Sequence, residues 1–503
     1  MRRLFSNTAM SGLDTFILVA LNLLATPILI KNFGAAEYGV FIFLSIFTTY
    51  GFLSFLDLGM EGSLLNYVAR FEAEGNRRRI QDSLTIAVLF YGSIGLLIGL
   101  ALFFLADFVD SRFIDDTGAL QNATVLTAIQ IVSANVFVLF LSLPFRAVLQ
   151  GLRRFVITKS VDAAMTTARY LLLIGVAVYF RRIDYAFLVI LGLSILKLVV
   201  LIAILGYRLP YFRSYRLRFD LATAKSLFSY STILIISRII GFISNQMDKF
   251  LIWLYLAVTQ MAIYDVVVRP GHLIRMIISV INSAIIPEVA FLHQKKDTEA
   301  IRRLFVNLVR YAYLIILPLM AVLFPHMESL LKLWVGAEFS PHYYIAWVLL
   351  AAFLLAPVPS IASTMLVGME LVRQTIWIPI TATIINVVFS LVLMKLLGLV
   401  GLVLGTLAAE IFLVSPYLSV MKRHLQLRSR HITGPVSRIV IVAVLFAALN
   451  TLLVNRGGGD FLPWLPVVAV LAAAHYVVNY RFLLDAGERR FVLSKIRGAE
   501  TAI

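Results

Sequence analysis

Six polar side chains lie along one face of an apolar stretch of the chain between residues 262 and 287. In chain order they are Asp265, Arg269, His272, Arg275, Ser279 and Ser283. At about 100° per residue they share roughly one third of a helix surface, and the rest of that surface is Val, Ile, Leu and Met. A guanidinium donates paired hydrogen bonds to phosphate oxygens and keeps its charge when water is removed. The stripe therefore has the chemistry of an anion-binding surface.

A stripe of this kind is costly inside a membrane, because each ionisable group at that depth costs roughly 2.5 kcal/mol or more. Such groups face the interior of a helix bundle or a cavity that holds water. One interpretation is an ion pair between Asp265 and Arg269, one turn apart, that only joins helices. That pair would leave Arg275 on the same face without a local partner. We therefore favour a cationic cavity in a membrane transporter.

The composition is that of a membrane protein. Of the 503 residues, 61% are hydrophobic and 14% are charged, whereas a soluble domain has about 45–50% and ~25%. There is no cysteine, and no two of the seven histidines lie three or four residues apart, so we expect no metal site. The pattern G-x-x-x-x-G-K-[ST] is absent, so ATP does not drive the chain directly. We expect no cofactor and no catalytic residue.

Fourteen stretches of the chain are apolar enough and long enough to cross a bilayer. Their centres lie near residues 20, 48, 95, 134, 171, 196, 237, 274, 315, 355, 386, 410, 446 and 472. Residues 227–287 fit two long helices or three short ones, and we favour two because three would invert every loop downstream. Of the 44 Lys and Arg residues, 30 then fall in cytoplasmic segments and 8 in outer ones, which places both termini in the cytoplasm. Because the basic residues follow the topology, they argue against nucleic acid as a partner.

An internal repeat divides the chain. Leu-Phe-Ser occurs at residues 4–6 and again at 227–229, and at the same offset of 223 Asn22 corresponds to Asn245. Six spans separate the copies, so both enter the membrane in the same direction, which is typical of parallel lobes related by an axis along the membrane normal. The predicted segments are a six-helix lobe at 1–206, a basic cytoplasmic linker at 207–226, a second lobe at 227–425, and two further spans with a cytoplasmic tail at 426–503.

Corresponding helices of two such lobes would face each other across a central cleft. Three further spans carry polar faces, which are Asp14 with Asn22 on the first span, Asp162 with Thr166 and Arg169 on the fifth, and Ser231 with Arg238, Asn245 and Asp248 on the seventh. We place Arg238, Arg269 and Arg275 in the cleft, with Asp14 and Asn22 opposite. The face on the fifth span either joins the cavity or is a polar contact inside its own bundle, which we favour.

Several short patterns resemble one known family. In chain order they are FGAAEYGVF (33–41), FLDLGMEGSLLNYVARFEAEGNRRRI (55–80), LQGLRRF (149–155), QMDKFLI (246–252), LLKLWVGAEFSP (330–341) and GLVGLVLGTLAAE (398–410). Together they resemble the polysaccharide-biosynthesis (Wzx-type) flippases of the MOP (multidrug/oligosaccharidyl-lipid/polysaccharide) exporter superfamily. The resemblance covers roughly residues 4 to 425. It rests on the order of loose patterns of glycine, tyrosine and charge.

The resemblance implies an all-α polytopic membrane protein with a MATE/MurJ-like fold, in which two pseudo-symmetric six-helix lobes are followed by two extra C-terminal helices. It implies a flippase that moves an isoprenoid-pyrophosphate-linked oligosaccharide from the inner to the outer leaflet of the bacterial cytoplasmic (inner) membrane by alternating access. The partners would be this polyprenyl-pyrophosphate-linked glycan, membrane lipids, and polysaccharide polymerase or glycosyltransferases. The pair Asp248-Lys249 stands where relatives often have an acidic and a basic residue.

The site residues are assigned by what each part of such a cargo demands. Pyrophosphate carries negative charge, and it is assigned to the deep arginines Arg238, Arg269 and Arg275. The sugars need hydroxyl, amide and aromatic partners, for which the candidates are Asn22, Asn245, Ser231 and Tyr264. Candidates for gating and for coupling to a proton or sodium ion are Asp14, Asp265, His272, Asp248 and Lys249. Asp57 and Glu410 are further titratable groups near membrane depth, with no specific role assigned.

Two other functions compete with this one. A MATE-like multidrug exporter usually favours cationic drugs and an acidic cavity, whereas three deep arginines favour an anion. An integral-membrane glycosyltransferase or ligase needs acidic or His/Arg catalytic groups, commonly on large outer loops, and no predicted outer loop much exceeds about 16 residues. We therefore expect a transporter and not an enzyme.

Overall fold

The computed structural model describes residues 2–48, 56–109, 111, 122–208, 220–282, 285–428, 430–456, 465–483 and 489. Helices make up nearly all of this part of the chain, and it contains no strand. In hydrocarbon a helix satisfies its backbone hydrogen bonds within one segment, which is why long apolar stretches form helices. The predicted all-α fold is confirmed.

The chain divides into two compact units, Met1–Val266 and Val267–Ile503. The first unit contains α1 Arg2–Ile46, α2 Met60–Ala73, α3 Arg77–Phe104, α4 Asn122–Gly151, α5 Phe155–Tyr179, α6 Ile183–Arg208 and α7 Leu221–Tyr255, and it ends inside α8, Val258–Asn282. The predicted division into segments 1–206, 207–226, 227–425 and 426–503 stays a prediction.

The second unit begins inside α8 and continues to the end of the chain. Its further helices are α9 Ile285–Gln294, α10 Thr298–Val335, α11 Tyr343–Leu355, α12 Pro357–Gly368, α13 Val372–Thr375, α14 Trp377–Leu397, α15 Leu399–Leu425, α16 Arg430–Arg456 and α17 Leu465–Val478, with a π-helical turn at Asn479–Leu483.

Ten segments of the described chain are long and apolar enough to cross a membrane. Every predicted span centre except the one near residue 48 falls inside a helix, and that one lies just past the end of α1, beside residues 49–55, which are outside the described part. The prediction of two long helices between residues 227 and 287 is confirmed by α7 and α8. The protein is therefore a multi-pass membrane protein.

Side-chain caps fix where three helices begin. Asn76 accepts a hydrogen bond from the backbone N–H of Arg79 at 3.1 Å, and Asp297 accepts one from Ala300 at 2.9 Å. Asp220 accepts one from the N–H of Thr223 at 2.8 Å before α7. Each cap satisfies a donor that the first helical turn leaves without a partner.

An ion network joins four helices of the first unit. Lys197 on α6 lies 2.6 Å from the Asp162 carboxylate on α5, and Arg146 on α4 lies 3.6 Å from Asp162 and 3.6 Å from Glu61 on α2. These four side chains are only 10–18% exposed. Of the polar face on the fifth span, Asp162 thus makes a contact inside its own bundle. We call these four side chains the ion network.

Candidate functional site

A polar cavity lies inside the second unit. It has a volume of about 420 Å³ and is lined by parts of α8, α12, α14 and α15, with Ala356 between α11 and α12. Arg275 contributes its guanidinium, and the other polar lining groups are Ser279, Asn282, Ser360, Ser363, Glu410 and Tyr417. Convergent polar groups in a concave site of this size are typical of a small-molecule binding site.

The position of Arg275 is set by an aromatic ring. Its guanidinium carbon lies 4.5 Å from the centroid of the Phe353 ring on α11, which is within the range of a cation–π interaction. The ring packs against α8 at Gly271, where a Cβ atom would lie 2.0 Å from the Phe353 Cε2. Glycine at this position therefore lets the ring reach α8, and Arg275 lies over the ring one turn later.

The remaining polar groups give the cavity both signs of charge. Glu410 on α15 lines the same cavity and interacts electrostatically with Arg275. Asn282 donates from its Nδ2 to the Ser360 hydroxyl at 2.8 Å, while its Oδ1 is buried without a hydrogen-bond partner among the described residues. The cavity thus offers a cation, an acid, an amide oxygen and several hydroxyl groups.

Two aspartates of the predicted coupling set accept hydrogen bonds from tyrosines in the first unit. Tyr38, fully buried on α1, donates to the Asp265 carboxylate at 2.8 Å. Tyr264 donates to the Asp248 carboxylate at 2.6 Å, which joins α8 to α7. The backbones of α1 and α8 also meet closely, because a Cβ at Gly39 would lie 2.2 Å from the Val258 carbonyl oxygen. Asp265 and Asp248, two of the three aspartates in the predicted coupling set, are therefore held by tyrosines.

Other predicted site residues lie in different surroundings. Arg269 is buried and His272 is exposed, whereas Lys249 is half-buried. Asn22 is half-buried, and its backbone oxygen accepts from the Thr26 hydroxyl at 2.6 Å. Four predicted positions lie on α1 and α7 with side chains outside the described part of the structure, namely Asp14, Ser231, Arg238 and Asn245.

Three residues gained a role only from the structure. Glu410 stood out in the sequence as titratable, but nothing there indicated Arg275 as its neighbour. Phe353 lies in an unbroken apolar run, which carries no signal for a cation–π contact. Tyr38 belongs to the pattern FGAAEYGVF, which indicated the family but not the hydrogen bond from the Tyr38 hydroxyl to Asp265.

Comparison with known proteins decides the family. A family model described as "Polysaccharide biosynthesis protein" matches residues 33–344. The chain belongs to this polysaccharide biosynthesis protein family. A curated protein of similar sequence is the probable low-salt glycan biosynthesis flippase Agl15 of Haloferax volcanii, with 21% identity over 183 residues. That match covers 36% of this chain and 39% of the length of the relative.

Solved structures of two kinds share the fold of this polysaccharide biosynthesis protein. The lipid II flippase MurJ in an inward closed conformation aligns with a TM-score of 0.70 at 12% identity, covering 93% of this chain and 97% of MurJ. An inward-facing multidrug resistance MATE family transporter of the MOP superfamily aligns with a TM-score of 0.62 at 15% identity, covering 81% and 94%. The predicted family and the predicted MATE/MurJ-like fold are confirmed.

Proposed function

We propose that this protein is a flippase that carries a polyprenyl-pyrophosphate-linked glycan across the membrane for polysaccharide synthesis. The main support for the proposal is the cavity of the second unit, where Arg275 lies beside hydroxyl and amide groups in a member of a polysaccharide biosynthesis family. A phosphate cannot cross hydrocarbon unaided, and a guanidinium at membrane depth replaces part of its lost hydration.

The two parts of the cargo headgroup use different sides of the cavity. Arg275 pairs with a phosphate oxygen while Phe353 holds its guanidinium plane in place. Asn282 and Ser363 offer hydrogen bonds to sugar hydroxyls from neighbouring walls. Glu410 competes with phosphate for Arg275 and thereby keeps the anion from binding too tightly to be released. The polyprenyl tail stays in lipid.

The other predicted binding residues extend this assignment. Arg269, which is buried on α8 before Arg275, and Arg238 serve the same pyrophosphate. Glycan contacts are assigned to Asn22, Asn245, Ser231 and Tyr264, of which Tyr264 is buried and donates its hydroxyl to Asp248.

Coupling to a proton or sodium ion is assigned to a set of ionisable groups that includes Asp265 on α8. Asp265 accepts from Tyr38, and protonation would remove its charge and weaken that hydrogen bond. Asp14, Asp248, Lys249 and His272 are the further coupling candidates. If Asp265 couples transport to a proton, transport by the wild-type protein should depend on pH and transport by Asp265→Asn should not. Unchanged transport at every pH would remove Asp265 from the coupling set.

The working location is the cytoplasmic membrane of a bacterium, with both termini in the cytoplasm. This orientation follows from the excess of Lys and Arg in the predicted inner loops. Glycosyltransferases that load the carrier on the inner face, and a polymerase that consumes it on the outer face, are the expected partners.

The test uses purified protein in proteoliposomes that contain a fluorescently labelled polyprenyl-pyrophosphate-linked glycan. Wild-type protein is expected to move the probe to the outer leaflet, where a membrane-impermeant quencher reaches it. Arg275→Ala is expected to lower affinity for undecaprenyl pyrophosphate by about tenfold or more, since a hydrogen bond to a charged group contributes ~1.5–3 kcal/mol. Arg275→Lys keeps the charge but loses the bidentate geometry, so its affinity should lie between those of the wild-type protein and Arg275→Ala.

Arg310→Ala is the matched control. Arg310 also lies over an aromatic ring, 5.8 Å from the Tyr311 centroid, on α10 of the same unit, but it does not line the cavity. This variant should bind and flip the probe as wild type does. Transport of ethidium and not of the lipid-linked glycan would support a multidrug exporter instead. Equal affinity in the two alanine variants would remove Arg275 from the site.

A further inference from the structure

Helix α10 contains two internal prolines that each remove a backbone donor. Proline has no N–H, so the carbonyl four residues earlier loses its helical hydrogen bond. The carbonyl affected by Pro318 is that of Leu314, and the carbonyl affected by Pro325 is that of Ala321. Both lie in a buried helix, where a carbonyl without a donor is costly.

Side chains from the last two helices meet these same carbonyls. Asn479 in the π-helical turn after α17 donates from Nδ2 to the Leu314 oxygen at 3.4 Å. Asn450 on α16 donates from Nδ2 to the Ala321 oxygen at 3.5 Å. Next to the first contact, the Tyr476 hydroxyl donates to the Ile315 oxygen at 3.0 Å. Each proline-freed carbonyl therefore has an amide donor from outside its own helix.

The burial of the two asparagines supports a specific role. Both are only 2% exposed, in helices that are otherwise largely apolar. A primary amide in such a place costs free energy unless its hydrogen bonds are made. Asn450 makes two more contacts, to the Phe446 oxygen at 2.9 Å and to the His326 ring at 3.5 Å. The spacing of the prolines by seven residues puts both freed carbonyls on one face of α10, where Asn450 of α16 and Asn479 after α17 meet them.

The contact continues from α10 to the cavity wall. Tyr313, next to Leu314, donates from its hydroxyl to the Leu354 oxygen at 3.2 Å. Leu354 follows Phe353, the ring beneath the Arg275 guanidinium. A shift of α10 at Pro318 would therefore be transmitted through Tyr313 and Leu354 to Phe353, the ring that contacts the Arg275 guanidinium.

We propose that α16 and α17 form a clamp on α10, in which Asn479 and Asn450 replace the hydrogen bonds lost at Pro318 and Pro325. The two asparagines are positioning residues for the cavity wall, and this positioning role rests on the proposed function. The clamp itself does not, because it concerns hydrogen bonds within the second unit.

The clamp is tested by pairing each asparagine with its own proline. Full-length protein in detergent is followed by tryptophan fluorescence during heating. Asn479→Leu, which keeps the side-chain volume, is expected to lower the apparent melting temperature by a few degrees. In the Pro318→Ala background the helix regains a backbone N–H that can donate to the Leu314 oxygen, so the same change should have much less effect. Pro325→Ala should rescue Asn450→Leu in the same way.

The crossed combinations are the matched controls. Pro325→Ala should not rescue Asn479→Leu, and Pro318→Ala should not rescue Asn450→Leu. Equal losses in all backgrounds, or rescue by either proline change alike, would overturn the clamp. If Asn479→Leu yields no folded protein, the double variant with Pro318→Ala must recover it, and failure to recover would count equally against the proposal.

A binding measurement tests the link to the cavity separately. Asn479→Leu should weaken binding of undecaprenyl pyrophosphate severalfold, and Pro318→Ala should restore it. Suppose that the stability results hold and Arg275→Ala loses affinity, but Asn479→Leu binds undecaprenyl pyrophosphate as wild type does. The clamp then stabilises α10 only, and the positioning role is wrong. If Arg275→Ala also binds normally, the proposed function has failed and the clamp has not.

Discussion

The ion network of the first unit and the cavity of the second unit use the same residue types in opposite ways. In the network, two acids and two bases form three ion pairs with N–O distances of 2.6–3.6 Å, and the four side chains are 10–18% exposed. In the cavity, Arg275 lies over a ring and shares a space of about 420 Å³ with Glu410. Charge at membrane depth therefore does not by itself indicate a binding site.

The two regions differ in whether a cavity lies next to the charged side chain. The four network residues join four helices, and each forms an ion pair with a residue of opposite charge that compensates for the loss of hydration. Arg275 keeps an exposed side chain in a space lined by hydroxyls, so a ligand can approach it. If this comparison is right, changes in the network should affect the free energy of unfolding, and changes in the cavity should affect binding.

The largest expected effect is in the ion network. Asp162→Asn leaves Lys197 and Arg146 without their shared carboxylate and is expected to lower the free energy of unfolding by about 3–5 kcal/mol. Thermal unfolding of the purified protein and its yield in the membrane measure this loss. The double change Asp162→Leu with Lys197→Leu keeps the Arg146–Glu61 pair and should be less harmful than Asp162→Asn. A double variant that is less stable than the single one would contradict this account of the network.

A smaller loss is expected where the cavity is supported. A Cβ at Gly271 would overlap the Phe353 ring, so Gly271→Ala is expected to cost about 1–3 kcal/mol through forced repacking. It should also weaken undecaprenyl pyrophosphate binding, because the ring beneath Arg275 moves. Gly434→Ala in α16 is the control, since a Cβ there meets no atom within 4 Å. Equal behaviour of the two variants would mean that the ring does not support Arg275.

The counter-charge in the cavity should act on affinity. Glu410→Gln removes the carboxylate that competes with phosphate for Arg275, so affinity for undecaprenyl pyrophosphate should rise by about 3- to 10-fold, near 1 kcal/mol. Transport should become slower, because release is then the difficult step. Binding measurements and the flipping assay give the two quantities. Weaker binding in Glu410→Gln would show that the acid holds the cargo or the arginine in place.

The smallest expected effect is that of Arg275→Ala on the fold. The exposed guanidinium gives only a cation–π contact of about 0.5–1 kcal/mol, so the melting temperature should remain close to that of wild type. This contrasts with Asp162→Asn, although both changes remove one deep charge. Unfolding of Arg275→Ala on the scale of the network variant would make Arg275 a structural residue and remove the contrast.

Much of the fold follows from local pattern. Apolar length predicts the helices, and the asparagine and aspartate caps before α3, α7 and α10 mark their starts. The polar stripe on α8 identified Arg275 because residues three or four apart share a helix face. Its cavity partners come from α12 and α15, and no local period links those helices to α8.

Consecutive residues were enough to identify an all-helical membrane protein of the polysaccharide biosynthesis family, because hydropathy, charge distribution and short patterns are all local properties of the chain. The packing of the helices was needed to tell which deep charges are bound to each other and which stand beside a cavity. Asp162 and Arg275 look alike in the sequence, each a charge within an apolar span. They differ because helix packing brings Lys197 and Arg146 to the first, and a ring, an acid and open space to the second.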